Sequence, residues 1–311
     1  MKQKKFFYLG VDGGATKSTA VLADFKGHAI KTRHGSALNY HALGFVAAKK
    51  NLAVLVKPLL KKAGRASVRA VFGFAGLDTK KDGATYRKMV ASIVPQRVSF
   101  VVVNDAKIAL ETQCPNEKNR MLVISGTGAN VYGENDGKTA RSIEGDFLLG
   151  DEGSSYEMGL KALRAAIRSW DGRGKKTVLE KMVLQKTGSR NMEELQNKVY
   201  DIWHKKPAEF KTFIASFSFL VNGAIIKNDH VAQAIRDESA NELTIGVCAV
   251  AGRLKLAKKP FCIGITGSGW KVRGLETIFK KAVKRDFSKA QFSKNSKKTS
   301  VSGALLLARR P

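Results

Sequence analysis

Apolar and polar positions alternate from the start of the chain, and the period of that alternation divides it into segments. Strand-like runs at Phe6 to Val11, Ser18 to Leu22 and Ala29 to Arg33 precede a helical repeat from Phe45 to Lys62. A strand at Val68 to Gly73, a helix at Tyr86 to Ile93, a strand at Val98 to Val103 and a short helix at Ala106 to Gln113 follow. The order β-β-β-α-β-α-β-α predicts a mixed sheet with helices on its faces.

At Arg120 the pattern restarts. Met121 to Ser125, Val131 to Glu134 and Ala140 to Ile143 read as three more strands, the last two joined by the turn Glu134-Asn135-Asp136-Gly137. The openings LGVDGGATKSTAVLADFKG and VISGTGANVYGENDG share one plan of strand, small-residue turn with a hydroxyl, and second strand, which predicts duplication of one α/β unit. From Ser154 to Lys255 nearly every window has helical period. Sheet character returns at Phe261 to Thr266, followed by a helix from Arg273 to Val283, a strand at Ala290 to Ser293 and a closing helix at Ser302 to Arg309. These segments predict an N-terminal lobe over residues 1–118, with the helix of 300–311 packed on it. A C-terminal lobe over 119–299 carries a helical insertion over 154–256.

Composition narrows the class without naming a function. The chain has 311 residues, 43% hydrophobic and 26% charged, with 29 Gly against 6 Pro, which excludes disordered, collagenous and disulfide-scaffold proteins. Such a length suits two domains, with a ligand cleft expected between them. Cys114, Cys248 and Cys262 lie too far apart for a local metal motif and suggest a reducing, cytoplasmic compartment. The opening MKQKKFFYLGVDGG breaks at Asp12 too early for a signal peptide. No apolar stretch is read as long enough to span a bilayer, so no membrane partner is expected. The formal net charge of +29 raises the possibility of a nucleic-acid partner. Against this, the basic residues are spread along the chain (Lys49/Lys50, Lys80/Lys81, Lys175/Lys176, Lys205/Lys206, Lys258/Lys259) and lack the aromatic interleaving of a single-strand binder.

Two turns offer phosphate chemistry. Asp12-Gly13-Gly14-Ala15-Thr16-Lys17 presents unhindered backbone N–H groups, a hydroxyl and a cation beside a carboxylate, and Ser125-Gly126-Thr127-Gly128-Ala129-Asn130 repeats the arrangement. Each is equally readable alone as a tight hairpin. Neither is a P-loop, and Gly126-x-Gly128 leads into a strand rather than a helix, which excludes a dinucleotide fingerprint. Asn104-Asp105 stands at the carboxyl end of an apolar strand, where a general base is expected, but also where a helix N-cap is expected. Gly150-Asp151-Glu152-Gly153-Ser154-Ser155 reads as an acidic helix cap. Gly267-Ser268-Gly269 is a flat turn against which a purine could lie.

In their order, these motifs resemble the actin, sugar-kinase and heat-shock ATPase superfamily, and within it the BadF/BadG/BcrA/BcrD ATPase family that includes N-acetylglucosamine kinase. GVDGGATKS and SGTGANVYG look like its two phosphate motifs, GDEGSSYEMG like the segment after its third strand, GITGSGWK like its adenosine motif and VSGALLLA like its closing helix. The resemblance implies a two-lobed actin-like, ribonuclease-H-like ATPase fold. It also implies ATP and Mg²⁺, phosphorylation of the 6-hydroxyl of N-acetylglucosamine or a close relative in cell-wall sugar recycling, and a homodimer. Asp105 would be the catalytic base and Asp12 the metal-organising carboxylate. Gly13, Gly14, Ala15, Thr16, Lys17, Ser125, Gly126 and Thr127 would lie at the phosphates, and Gly267, Ser268 and Gly269 at the adenosine. Asn39, Asn104, Thr127, Gly128, Asn130 and Asp151 would join Asp105 at the sugar.

Where similar amino-sugar kinases carry Gly-Gly-Trp-Gly, this chain has Ile143-Glu144-Gly145-Asp146, a departure that bears on sugar choice and leaves room for N-acetylmuramic acid or glucosamine. The competing functions are an ATPase activator of a reductase or dehydratase sharing an iron–sulfur cluster, for which the cysteines are poorly spaced, a non-catalytic nucleic-acid binder, and a sugar sensor without turnover.

Overall fold

Three antiparallel strands, β1 (Phe6–Gly13), β2 (Lys17–Ala23) and β3 (Ala29–Ser36), open a computed structural model that describes residues 6–294 and 298–310. They are followed by α1 (Tyr40–Leu43), α2 (Phe45–Ala63), β4 (Ser67–Phe74), α3 (Lys80–Ala91), β5 (Val98–Asn104) and α4 (Asp105–Gln113). β4 and β5 join β1 in parallel, giving the order β3-β2-β1-β4-β5. The second unit begins with β6 (Asn119–Ser125), β7 (Ala129–Asn135) and β8 (Lys138–Ser142), then α5 (Asp146–Leu149). Six helices intervene: α6 (Ser155–Trp170), α7 (Leu179–Thr187), α8 (Met192–Lys205), α9 (Pro207–Ala215), α10 (Ser218–Ile226) and α11 (His230–Arg253). β9 (Phe261–Thr266), α12 (Leu275–Asp286) and β10 (Ala290–Phe292) then complete its sheet. Its order, β10-β9-β6-β7-β8, is that of the first sheet read from the other edge, with the same parallel and antiparallel pairs. The expected duplication is therefore present strand for strand.

The last helix, α13 (Ser300–Arg309), returns to the first unit, which comprises the described residues up to Asn116 and those from Lys294 onward; the second runs from Glu117 to Ser293. Period-2 alternation sorts the first sheet's faces. Leu9, Val11, Ala70, Phe72 and Phe74 share a core with α2 and α3, while Val71 and Tyr8 pack with Ile108 of α4 and with Ala304 and Ala308 of α13. That second face is built on close approach. A Cβ on Gly10 would lie 3.0 Å from the Val301 carbonyl, one on Gly73 2.4 Å from Ile108, and one on Gly303 1.9 Å from the Ile108 carbonyl. α2 buries Leu52, Leu55, Val56 and Leu59 at helical spacing. It tolerates Pro58 because the carbonyl deprived of a donor belongs to Val54, on the exposed face.

Two expectations need correcting. The run Pro207–Ile226 reaches 20 residues at mean hydropathy 1.3, long and apolar enough by length and composition to cross a bilayer, contrary to the expectation that no stretch is. It breaks at Ser216-Phe217 into α9 and α10, and Ile214, Val221, Ala224 and Ile225 are buried in the second unit's core. The short helices α1 and α5 were not expected. Each is a single turn of four residues, too short to show a period.

Candidate active site

β1 ends in the first small-residue turn because its flanking strands leave no room for a side chain there. Gly13 pairs with Ser18 on one side and Phe74 on the other, and a Cβ on it would lie 2.8 Å from the Phe74 ring. The Gly14 N–H donates to the Lys17 carbonyl at 3.1 Å, closing the turn, and Ala15, Thr16 and Lys17 are exposed. Alternation places Asp12 on the face of Tyr8 and Gly10, the face that α4 covers. Its carboxyl is pushed up to about 6, first by burial and then by the charge of Asp105, with Lys17 opposing.

Asp105 is the first residue of α4, and Asn104 is its cap. The alternatives of base and cap are thereby divided between neighbours, although Asp105 also contributes to the helix start. The Ala106 N–H donates to both Asn104 Oδ1 and Asp105 Oδ1 at 2.8 Å, which fixes one carboxylate oxygen. Asn104 Nδ2 donates to the Leu77 carbonyl at 3.0 Å and to Asp78 at 3.1 Å, tying the loop after β4 to the start of α4. Asn39 caps α1, its Oδ1 accepting from the His41 N–H at 2.9 Å, and a Cβ on Gly76 (φ +77°) would lie 2.9 Å from that same Oδ1.

Beneath this loop is a network that the sequence reading missed. Asp82, nearly fully buried, accepts from Tyr40 Oη at 2.5 Å, His41 Nε2 at 3.0 Å, Thr79 Oγ1 at 2.7 Å and the Thr79 N–H at 2.8 Å. Burial opposes its ionisation, but the hydrogen bonds from Tyr40 and Thr79 outweigh it and hold the carboxyl well below the usual range. Tyr86 Oη donates to the Ala75 carbonyl at 2.8 Å. The only local sequence signal was Thr79-x-x-Asp82, a capping box.

In the second unit, Thr127 is exposed, and the Gly126 N–H donates to the Gly128 carbonyl at 2.8 Å. The Ser155 and Tyr156 N–H groups at the start of α6 donate to the carbonyls of Gly126 and Thr127. Ser125 differs from the expectation of a phosphate-facing hydroxyl. It is fully buried and donates to the Gly153 carbonyl at 2.7 Å, so it fastens two turns together. Gly267 and Gly269 are explained by the same residue, since Cβ atoms there would lie 2.2 Å from the Ser125 carbonyl and 2.1 Å from its Oγ. Ser268 is exposed beside them.

Asp151 is not a helix cap. Ser154 caps α6 by accepting from the Glu157 N–H, whereas Asp151 is buried at φ +67° and accepts from the Ala129 N–H at 2.8 Å through Oδ1. A Cβ on Gly128 would lie 2.6 Å from that same Oδ1, which accounts for the glycine. Lys211 Nζ lies 2.6 Å from Asp151 Oδ2 and also pairs with Asp146. Burial alone would lower the Lys211 pKa, but the two carboxylates raise it. They stand 60 positions apart, so no sequence pattern could have paired Lys211 and Asp151. The buried Oδ1 of Asn130 has no hydrogen-bond partner among the described residues, leaving an acceptor for a ligand.

No trio of His, Cys, Asp and Glu forms a metal cage among the described residues. Asp12 nevertheless fits Mg²⁺, which takes one or two carboxylates and keeps several waters. A cation beside it would offset both burial and the neighbouring Asp105 charge, the two causes that disfavour its ionised form.

The chain is 31% identical over 310 residues to an N-acetylmuramic acid/N-acetylglucosamine kinase of Clostridium acetobutylicum, covering 97% of this chain and 98% of that one. It is 27% identical over 315 residues to an N-acetyl-D-glucosamine kinase of Dictyostelium discoideum, with the same coverage. Among solved structures, a candidate N-acetylglucosamine kinase from Chromobacterium violaceum superposes with a TM-score of 0.74 at 19% identity, covering 98% and 99% of the two chains. A ROK family glucokinase from Streptomyces griseus, bound to glucose and AMPPNP, gives 0.53 at 15%, covering 98% and 100%. These two likenesses establish the actin-like sugar-kinase fold. The BadF/BadG/BcrA/BcrD ATPase profile matches residues 9–308, and the chain belongs to that family.

Proposed function

We propose that the chain is an ATP-dependent amino-sugar kinase that phosphorylates the 6-hydroxyl of N-acetylglucosamine or a close relative, in the recycling of cell-wall sugars. The observation that carries this reading is the pair Asp12 and Asp105, each at or just beyond the end of a strand, with the charge of Asp105 helping to raise the Asp12 carboxyl. The long match to kinases of these sugars supports it.

Asp105 takes the proton of the attacking hydroxyl. With one of its oxygens fixed by the Ala106 N–H, the carboxylate is aimed before substrate arrives, and a positioned base contributes about 10²- to 10⁴-fold. As the proton arrives, the repulsion on Asp12 falls. Asp12 would hold Mg²⁺, which when bound neutralises phosphate charge. Thr16 and Thr127 reach the phosphates from exposed turn positions, with the unhindered backbone of Gly13, Gly14, Gly126 and Gly128 close by. Asn39, Asn104, Asn130 and Asp151 hold the sugar, and the turn from Gly267 to Gly269 takes the adenosine. Because phosphoryl transfer asks for positioning more than covalent help, this set of residues suffices in kind.

ADP release is the test, measured with ATP and Mg²⁺ against N-acetylglucosamine, N-acetylmuramic acid, glucosamine, N-acetylmannosamine and glucose. An amino sugar should stimulate turnover, and Asp105→Asn should lower it at least about 10²-fold. Turnover unaffected by sugar, or by that substitution, would overturn the reading.

A further inference from the structure

The segment that departs from the amino-sugar kinase pattern is strained. Ile143 (φ 58°) and Asp146 (φ 56°) both occupy the left-handed region, and the first is β-branched, a residue type that rarely goes there. Ile143 is packed on the core of the second unit, and the far end of the segment is paired with Lys211, which reaches from α9 to Asp146. Lys211 joins two carboxylates of unlike character. Asp151 is buried and has its other oxygen fixed by the Ala129 N–H, whereas the Asp146 side chain is 66% exposed. The Lys211 side chain itself is only 26% exposed, so little water reaches the ammonium and a second anion stabilises it. Of its two partners, Asp146 is the replaceable one.

We propose that Lys211 is the specificity residue for amino sugars bearing a carboxylate substituent, and that the sugar's acid group takes the place of Asp146 on its ammonium. The exchange brings one anion in and lets one out to solvent, so the charge around Lys211 is unchanged, and it frees the strained segment. The inference rests on the amino-sugar kinase reading and on the placement of Asp151 at the sugar. A neutral sugar leaves the Lys211 to Asp146 pair closed, so both kinds of substrate can be used.

The readout is the ratio of kcat/KM for N-acetylmuramic acid to that for N-acetylglucosamine, in the wild type, Lys211→Met and Asp146→Asn. Lys211→Met leaves Asp151 without its cation and slows both sugars, but should lower the ratio about 10- to 100-fold. Asp146→Asn removes the internal competitor and should raise the ratio roughly two- to fivefold. A ratio within twofold of wild type in Lys211→Met, or one that does not rise in Asp146→Asn, overturns the proposal, as does a wild type that uses only the neutral sugar. If Lys211→Met does not fold, Asp146→Asn decides. Absence of turnover with every amino sugar instead overturns the kinase reading itself.

Discussion

Gly303 is where the closing helix is pressed hardest against the helix that begins with Asp105. The Gly303 N–H donates to Thr112 Oγ1 at 2.8 Å, and a Cβ on it would lie 1.9 Å from the Ile108 carbonyl and 2.6 Å from Thr112 Oγ1. In Gly303→Ala, α13 and α4 must therefore part by about 1 Å before the contact is even marginal. The obstructing atom is backbone, so no rotamer change relieves it. Overpacking of this kind costs about 1–3 kcal/mol, and with a main-chain clash the upper end is expected. α4 has only nine residues, and Ile108 lies within one turn of Asp105, so the displacement reaches the carboxylate. A shift of about 1 Å in a catalytic group slows turnover by roughly 10²-fold. Urea denaturation gives the first quantity and ADP release the second. Gly252→Ala is the control: it is also a helical glycine, but with nothing within 4 Å of its Cβ, and it should be neutral or more stable by up to about 1 kcal/mol. If Gly303→Ala matches wild type within about 0.5 kcal/mol and turns over normally, the coupling of α13 to Asp105 is wrong.

Other outcomes follow from the same geometry. Because the folded Asp12 carboxyl titrates near 6 against an ordinary 3.8, stability falls as pH rises through that window. In urea titrations at pH 8 without Mg²⁺, Asp12→Asn should therefore be more stable than wild type, by at most about 3 kcal/mol, while losing turnover. Asp82 has the opposite sign: its folded carboxyl lies below the ordinary 3.8, so its contribution is present above that pH and is lost as pH falls. Acid denaturation profiles should be flatter below about pH 4 in Asp82→Asn. The nearest atom to a Cβ on Gly126 is 3.8 Å away, so Gly126→Ala should fold with a melting temperature near wild type. If phosphate lies over that backbone, its KM for ATP should rise about tenfold or more; an unchanged KM would place phosphate elsewhere.

The sheets were legible because alternating Leu9 and Val11, or Met121 and Val123, announce a two-sided strand, and the repeated small-residue turns announced the duplication. The roles of single turn residues were less legible. A glycine looks the same in a sequence whether it clears space for a ligand, as Gly126 can, or for a neighbouring turn, as Gly267 and Gly269 do against Ser125. Asp151 read as a cap because capping is local and frequent, whereas its partners Ala129 and Lys211 come from β7 and α9. The Asp82 network was hidden for the same reason: Tyr40 and Asp82 meet only after β4 has paired with β1.

The return of α13 to the first unit also has a consequence for synthesis. The strands of that unit and α4 leave the ribosome early, yet Gly303, Ala304 and Ala308, which cover Ile108, follow roughly 190 residues later. Until then the α4 face of the first sheet lacks its cover, while the whole second unit has already been made. The expected order of maturation is thus the reverse of the order of translation, with the unit bearing Asp12 and Asp105 finished last. A chain truncated before residue 300 and released from the ribosome should hold a protease-resistant second unit and a first unit that trypsin readily cuts. Asp12 and Asp105 would come into register only as the final turn of helix docks.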